Sequence, residues 1–217
     1  MTSLATVTVE AADVTAAQPF YAALGLDHVV RLRASDAPTS GFRGFALALT
    51  VARPATVDAF LDAAVAAGGT AVKPGARSFW GYGGVVRSPD GTLCKVATSA
   101  KRDSGPATRD IDAVVLLLGA TDVAETKRFH VEHGLTVAKS FGRKYVEFEA
   151  GDSPVRLALY GRRALAKDLG VPEEGTGSHR VVLGGTAGAA TDPDGFVWEP
   201  TPAAATEAAP SSAPRTT

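Results

Sequence analysis

Three aromatic side chains fall within four positions at Phe79, Trp80 and Tyr82, in the run SFWGYGG. Their rings are flat and apolar, so a concavity lined by them suits a flat apolar ligand. The interleaved glycines let backbone approach a ligand or turn tightly. The same composition serves core packing or a subunit interface, and the residues alone leave that choice open. Tyr145, Phe148 and Trp198 form a second candidate wall of the same kind.

Other reactive residue types are sparse. His130 and His133 stand three apart, on one face of a predicted helix. Metal capture there would need further ligands, whereas a histidine near a helix C-terminus also suits the helix dipole. Cys94 is the only cysteine, so a disulfide within the chain is excluded. It sits on an apolar strand with no base in sight, which reads as a buried structural thiol rather than a nucleophile. The GYGG run does not precede a helix and is no dinucleotide fingerprint. Neither a paired-carboxylate nor a Ser-His-Asp arrangement emerges from spacing.

The 22 Lys and Arg against 23 Asp and Glu give a net charge of −1, which argues against nucleic-acid and membrane-surface partners. No apolar run approaches the roughly 20 residues of a membrane span. The first ten residues lack the charged flank and apolar stretch of a signal peptide. A cytoplasmic protein is expected.

These residues must be positioned by elements that occur twice. The segment ADVTAAQPFYAALGL at 12–26 is echoed by TDVAETKRFHVEHGL at 121–135. Asp13, Val14, Phe20, Gly25 and Leu26 match Asp122, Val123, Phe129, Gly134 and Leu135 at a constant offset. Each echo follows an apolar run, over 4–9 and 111–118. The pattern is strand, Asp as N-cap, amphipathic helix, then Gly as C-cap. Tyr21 takes the place of His130. A second echo, SPDGTLCKV at 88–96 and DPDGFVWEP at 192–200, is turn chemistry with a strand to follow. Between the echoes, the first half has a strand over 45–51 and a helix over 56–67. The second half has strands over 145–149, 155–160 and 179–183 and a short helix over 163–169. It lacks a counterpart of the first half's long helix, so it is abbreviated. The polar stretch 99–109 reads as a linker, and 201–217, rich in Ala, Pro, Thr and Ser, as a disordered tail.

Together these motifs resemble the vicinal oxygen chelate superfamily, which holds glyoxalases, bleomycin-resistance proteins and extradiol dioxygenases. The resemblance rests on ADVTAAQPFYAALGL, SFWGYGGVVRSPDGTLCKV, TDVAETKRFHVEHGL and TDPDGFVWEP, and spans 4–200 apart from the linker. It implies an α+β fold of paired βαβββ modules, over 1–98 and 110–200, with strands curled into open cups. Short strands alternating with single helices agree with this.

The superfamily's enzymes hold a divalent metal in the cup, on His, Glu or Gln of the strand opening a module, the strand opening its second unit and the last strand. By resemblance, the first-half positions fall on Thr6 and Lys95, a poor ligand and a cation. The second-half positions fall on Val115, which cannot ligate, and on His179 and Glu199, which can. Catalytic zinc normally has three protein ligands, so a third is needed, from Glu10, Glu147 or a histidine of another chain. The plainer alternatives are a strand-end His179 hydrogen-bonded to a loop and a Glu199 paired with Arg156 or Arg180.

The resemblance therefore implies a glyoxalase/bleomycin-resistance-like protein. It would bind a small aromatic or heterocyclic molecule in a cup lined by Phe79, Trp80, Tyr82, Tyr145, Phe148 and Trp198, without a catalytic metal or other cofactor. The alternative is a divalent-metal lyase, isomerase or dioxygenase built on His179 and Glu199, or acid–base catalysis by Glu199 alone. A third reading is an interaction role for a decayed enzyme. Missing strands would leave sheet edges for a second copy to cover, so a homodimer is expected.

Overall fold

A computed structural model describes residues 4–185 and 188–201; the predicted tail lies outside them except for Thr201. The first half runs β1 (Leu4–Ala11), α1 (Val14–Ala23), β2 (Val30–Ala34), β3 (Thr39–Gly41), β4 (Phe45–Thr50), α2 (Pro54–Ala66), β5 (Thr70–Ser78), β6 (Gly81–Arg87) and β7 (Leu93–Thr98). The second runs β8 (Ala113–Ala120), α3 (Val123–Glu132), β9 (Val137–Ser140), β10 (Tyr145–Phe148), β11 (Val155–Gly161), α4 (Arg162–Leu169), β12 (Gly175–Gly177), β13 (Val181–Gly185), β14 (Ala190–Thr191) and β15 (Val197–Pro200).

The repeated caps act as their chemistry requires. Asp13 accepts from Ala16 N at 2.9 Å, and Asp122 from Ala124 N at 2.8 Å. The two backbone amides on Asp122 hold its carboxyl below the usual range. Gly25 and Gly134 close α1 and α3 at φ of 66° and 89°, where a side chain would be strained. Helix α2 begins at Pro54, a residue suited to the first helical turn because its missing N–H would have no helical partner. Its N-cap Arg53 makes no capping bond; instead Asp103 of the linker accepts from Ala55 N at 2.6 Å. Thr108 N donates to Thr56 Oγ1, and Arg109 lies over the Phe60 ring at 4.4 Å. The 99–109 segment is thus fastened along α2.

Each half divides between two sheets. The larger has eight strands in the order β5-β6-β7-β4-β8-β11-β10-β9, the smaller five in the order β14-β15-β13-β1-β2. The halves join where β4 pairs antiparallel with β8, Phe45 opposite Leu118, and where β1 pairs antiparallel with β13, Val7 opposite Leu183. β12 pairs with β3 in a small two-stranded sheet.

One core fills the space between the sheets, from Val7, Val9 and Leu183 on one side to Leu47, Leu116 and Leu157 on the other, with Phe20 and Tyr21 of α1. The alternate residues of the larger sheet face the opposite way, into its cup. There α4 is seated, burying Leu165, Ala166 and Leu169 against Phe42, Ala46, Val85 and Leu93. Among the described residues no helix is long and apolar enough to cross a membrane.

Candidate ligand-binding site

The positions implied by resemblance as metal ligands assemble across the halves. In the larger sheet Ala48 pairs with Lys95 on one side and Val115 on the other, so Lys95, Ala48 and Val115 form one row across the cup floor. In the smaller sheet Gly184 pairs with Thr6 and with Glu199, giving the row Thr6, Gly184, Glu199. Strand alternation then puts the members of each row on one face.

The larger cup holds a cavity of about 170 Å³, walled by β5, β6 and β7 and the end of α4. Trp80 stands at its rim, and Lys73, Lys95 and Asp168 supply its charge, while Tyr82 and Arg77, paired in register, present their side chains to the opposite, α2-bearing face. Lys95 Nζ meets Asp168 Oδ2 at 2.5 Å, and Lys73 Nζ donates to Asp168 O at 2.8 Å. Tyr82 donates to Asp58 at 2.8 Å; desolvation first, and then that bond, raise its hydroxyl above the ordinary value. At the other end of the floor Glu147 is enclosed by its neighbours. Tyr145 donates to it at 2.8 Å, with Arg156 at 3.6 Å and Lys139 at 3.7 Å. Burial, followed by the Glu147 bond and charge, pushes the Tyr145 hydroxyl upward.

In the smaller cup the carboxylates are spanned by a guanidinium. Arg33 donates to Glu10 at 2.7 Å and to both oxygens of Glu199 at 3.0 and 3.1 Å. Arg33 lies on β2 and Glu199 on β15, which a flat sheet would set about 14 Å apart; their contact requires the sheet to curl. The carboxylate partners raise the Arg33 pKa, the Glu10 hydrogen bond most. An open cavity of about 400 Å³ beside this triad also touches His179. Yet His179 Nδ1 faces Arg43 O, Nε2 faces Asp194 O at 3.0 Å, and the ring stacks on Phe196 at 4.1 Å. No ring nitrogen is turned toward Glu199, and the arginine on that carboxylate is Arg33 rather than Arg156 or Arg180.

A chelated divalent ion does not fit either row. Lys95 and Val115 offer no lone pair, Thr6 is packed over Gly184, and Glu199 is held by Arg33. Among the described residues no three His, Cys, Asp or Glu side chains converge as a metal group.

The aromatic residues separate. Trp80 stands at the rim of the larger cavity, whereas Tyr82 lies on the opposite face of β6, bonded to Asp58 of α2. Phe79, beside Trp80 at the β5–β6 tip, projects away with Lys101 above its ring at 5.5 Å, and both are about four-fifths exposed. Tyr145 faces the larger cup. Phe148 and Trp198, expected to wall a second cup, lie on the opposite face, buried against His130 with ring centroids 5.4 and 5.6 Å away. Alternation predicts this, since Phe148 is three residues from Tyr145 and Trp198 adjoins Glu199 on their strands. His130 is wholly buried, with Nε2 3.5 Å from Asp192, while His133 Nδ1 lies 2.8 Å from Phe129 O. Cys94 is buried, and desolvation raises its thiol well above the ordinary value, keeping it a thiol. Sequence reasoning missed Lys73, Asp168 and Arg33, which carry no motif, and the bulges in β5 hide which of its residues face the cup.

No protein-family model and no curated protein matches the chain. In structure it is similar to glyoxalase I from Zea mays, with a TM-score of 0.58 and 13% identity, covering 91% of this chain and 91% of that one. It is also similar to a "putative dioxygenase" from Bacillus subtilis, with a TM-score of 0.51 and 12% identity, covering 89% of this chain and 71% of that one. Two curled sheets built from repeated strand–helix units, joined by β1–β13 and β4–β8, give this chain a fold like that of glyoxalase I.

Proposed function

We propose that this protein binds a small, single-ring aromatic molecule in the cup of its eight-stranded sheet, and does so without a catalytic metal. The observation that carries this reading is the cup floor. Lys95, Ala48 and Val115 occupy the row where a chelating enzyme needs ligands, while Trp80 stands at the rim of the remaining space. About 150 Å³ of apolar cavity is enough to take a benzene ring, and this cavity measures about 170 Å³. Helix α4 fills the rest of the cup with buried leucines, which limits the ligand to one ring.

Calorimetric titration with benzamide tests the reading. Trp80→Ala is expected to weaken benzamide binding by about tenfold or more, as the loss of a stacking aromatic does. Trp80 is exposed, so the melting temperature should hold. Unchanged affinity in that variant would remove Trp80 from the site. Metal content by plasma mass spectrometry, on protein purified without chelators or a histidine tag, should be well below one ion per chain. A stoichiometric ion would overturn the metal-free reading.

A further inference from the structure

The charge around the larger cavity says more about what it takes. Two cationic side chains, Lys73 and Lys95, face it, and Asp168 is the one carboxylate between them. That leaves an excess of one positive charge around a space the size of a ring. Lys95 is seated in the floor row beside Ala48, with its side chain about a quarter exposed. An ammonium in such surroundings needs an anion. In this structure Asp168 supplies it, reaching over from the last turn of α4. The helix itself is fixed, because Leu165 and Leu169 are fully buried. The Asp168 side chain is about one-third exposed, so solvent lies beside it on the outer side. Lys73 is tied to the Asp168 backbone carbonyl and stays in place whichever way that side chain points.

Resting on the reading of this cup as an aromatic-binding site, we propose that its ligand is a single-ring aromatic carboxylate. The ring lies beside Trp80 at the rim, and its carboxylate replaces the Asp168 carboxylate on Lys95, with Lys73 close by. Asp168 is then a built-in competitor. It keeps the lysine neutralised while the cup is empty and sets the threshold a ligand must exceed. The exchange swaps one carboxylate for another on the same ammonium, so the site selects anionic rings without leaving an unpaired charge in either state.

Calorimetric titration with sodium benzoate and with benzamide, its uncharged isostere, tests this at low and at raised salt. Benzoate is expected to bind about tenfold more tightly than benzamide, as a charge-assisted contact allows, and the advantage should shrink as salt rises. Lys95→Met should bring the two probes to equal affinity. Asp168→Asn should tighten benzoate binding by about two- to fivefold, the scale of a partly exposed ion pair, while leaving benzamide unchanged. Equal affinities in the unaltered protein would overturn the assignment of an anionic ligand while leaving the aromatic cup standing. A benzoate preference that survives Lys95→Met would overturn it too, by placing the anion elsewhere. Asp168→Asn without a gain for benzoate would overturn the competitor role. Failure of both probes to bind would overturn the aromatic cup itself, and the inference with it.

Discussion

The two cups are built in opposite ways. In the eight-stranded sheet the row Lys95, Ala48, Val115 presents an ammonium and two hydrocarbons, and a helix occupies the hollow. In the five-stranded sheet a carboxylate survives at Glu199, and Arg33 spans the hollow to hold it together with Glu10. One cup is positive and filled by a helix; the other is open to solvent and spanned by salt bridges. The difference teaches that each hollow is completed by what its own lining demands. A buried hollow needs hydrocarbon, supplied here by Leu165 and Leu169. Adjacent carboxylates need a cation, supplied here by a side chain.

The sharpest way to break that comparison is to empty the filled cup. Leu169→Ala removes a fully buried side chain from α4 and is expected to cost about 2–5 kcal/mol, read as a lowered midpoint in urea unfolding. A change below 1 kcal/mol on that scale would mean that α4 merely rests on the sheet.

A smaller effect is expected where α1 meets the SPDG turn. Tyr21 donates to Asp90 at 2.8 Å, and Asp90 also accepts from Ser88 at 2.6 Å. Tyr21→Phe removes one bond of several and should cost about 1 kcal/mol. Burial, with the Asp90 charge next, holds the Tyr21 hydroxyl well above the ordinary tyrosine value. The folded state therefore keeps this proton more tightly than the unfolded chain. Its contribution is full below the ordinary value and is lost as pH rises through the folded one. Alkaline unfolding should accordingly be less steep in Tyr21→Phe; an unaltered alkaline limb would show that this hydroxyl does not govern it. The second half places His130 at the matching position, against Asp192 at 3.5 Å, so that contact carries no tyrosine of its own.

The smallest effect belongs to the open cup. Arg33→Met breaks pairs in which Arg33 and Glu199 are nearly half exposed, so a loss of about 1 kcal/mol or less is expected. The same variant frees Glu10 and Glu199. Zinc titration should still find no tight site, because two carboxylates fall short of the three ligands that zinc needs while His179 faces carbonyl oxygens. Stoichiometric zinc uptake would show that Arg33 is all that separates this cup from a metal centre.

Much of the fold was legible because its signals are local. Asp13 and Asp122, Gly25 and Gly134, and the two Pro-Asp-Gly turns announce their elements within a few residues. Strand partnership was not legible, because the apolar runs of β1, β4, β8 and β13 would bury equally well against several neighbours. The positions Thr6, Lys95 and Val115, implied as ligands by resemblance, could be set aside from the sequence, since side-chain type alone disqualifies them. The side chains that fill the two cups could not be foreseen. Asp168 belongs to a short helix whose seat depends on strands some 70 residues away in the chain, and Arg33 is an ordinary exposed strand arginine until the sheet curls. The placement of Phe148 and Trp198 was readable and was obscured by attending to residue type rather than to alternation.

The division of each half between two sheets bears on how the molecule carries mechanical load. A tandem of self-contained domains yields at its linker, the hinge opening before anything folded is disturbed. Here the stretch 99–109 is fastened to α2 by Asp103, Thr108 and Arg109. The halves are bound by two antiparallel ladders, one of which runs the full length of β4 against β8. Tension between the halves must therefore strip backbone hydrogen bonds from both sheets, and the core between them must part as they go. The repeat that reads as two beads on a string behaves as a single clasped body, in which each half is the other's missing edge.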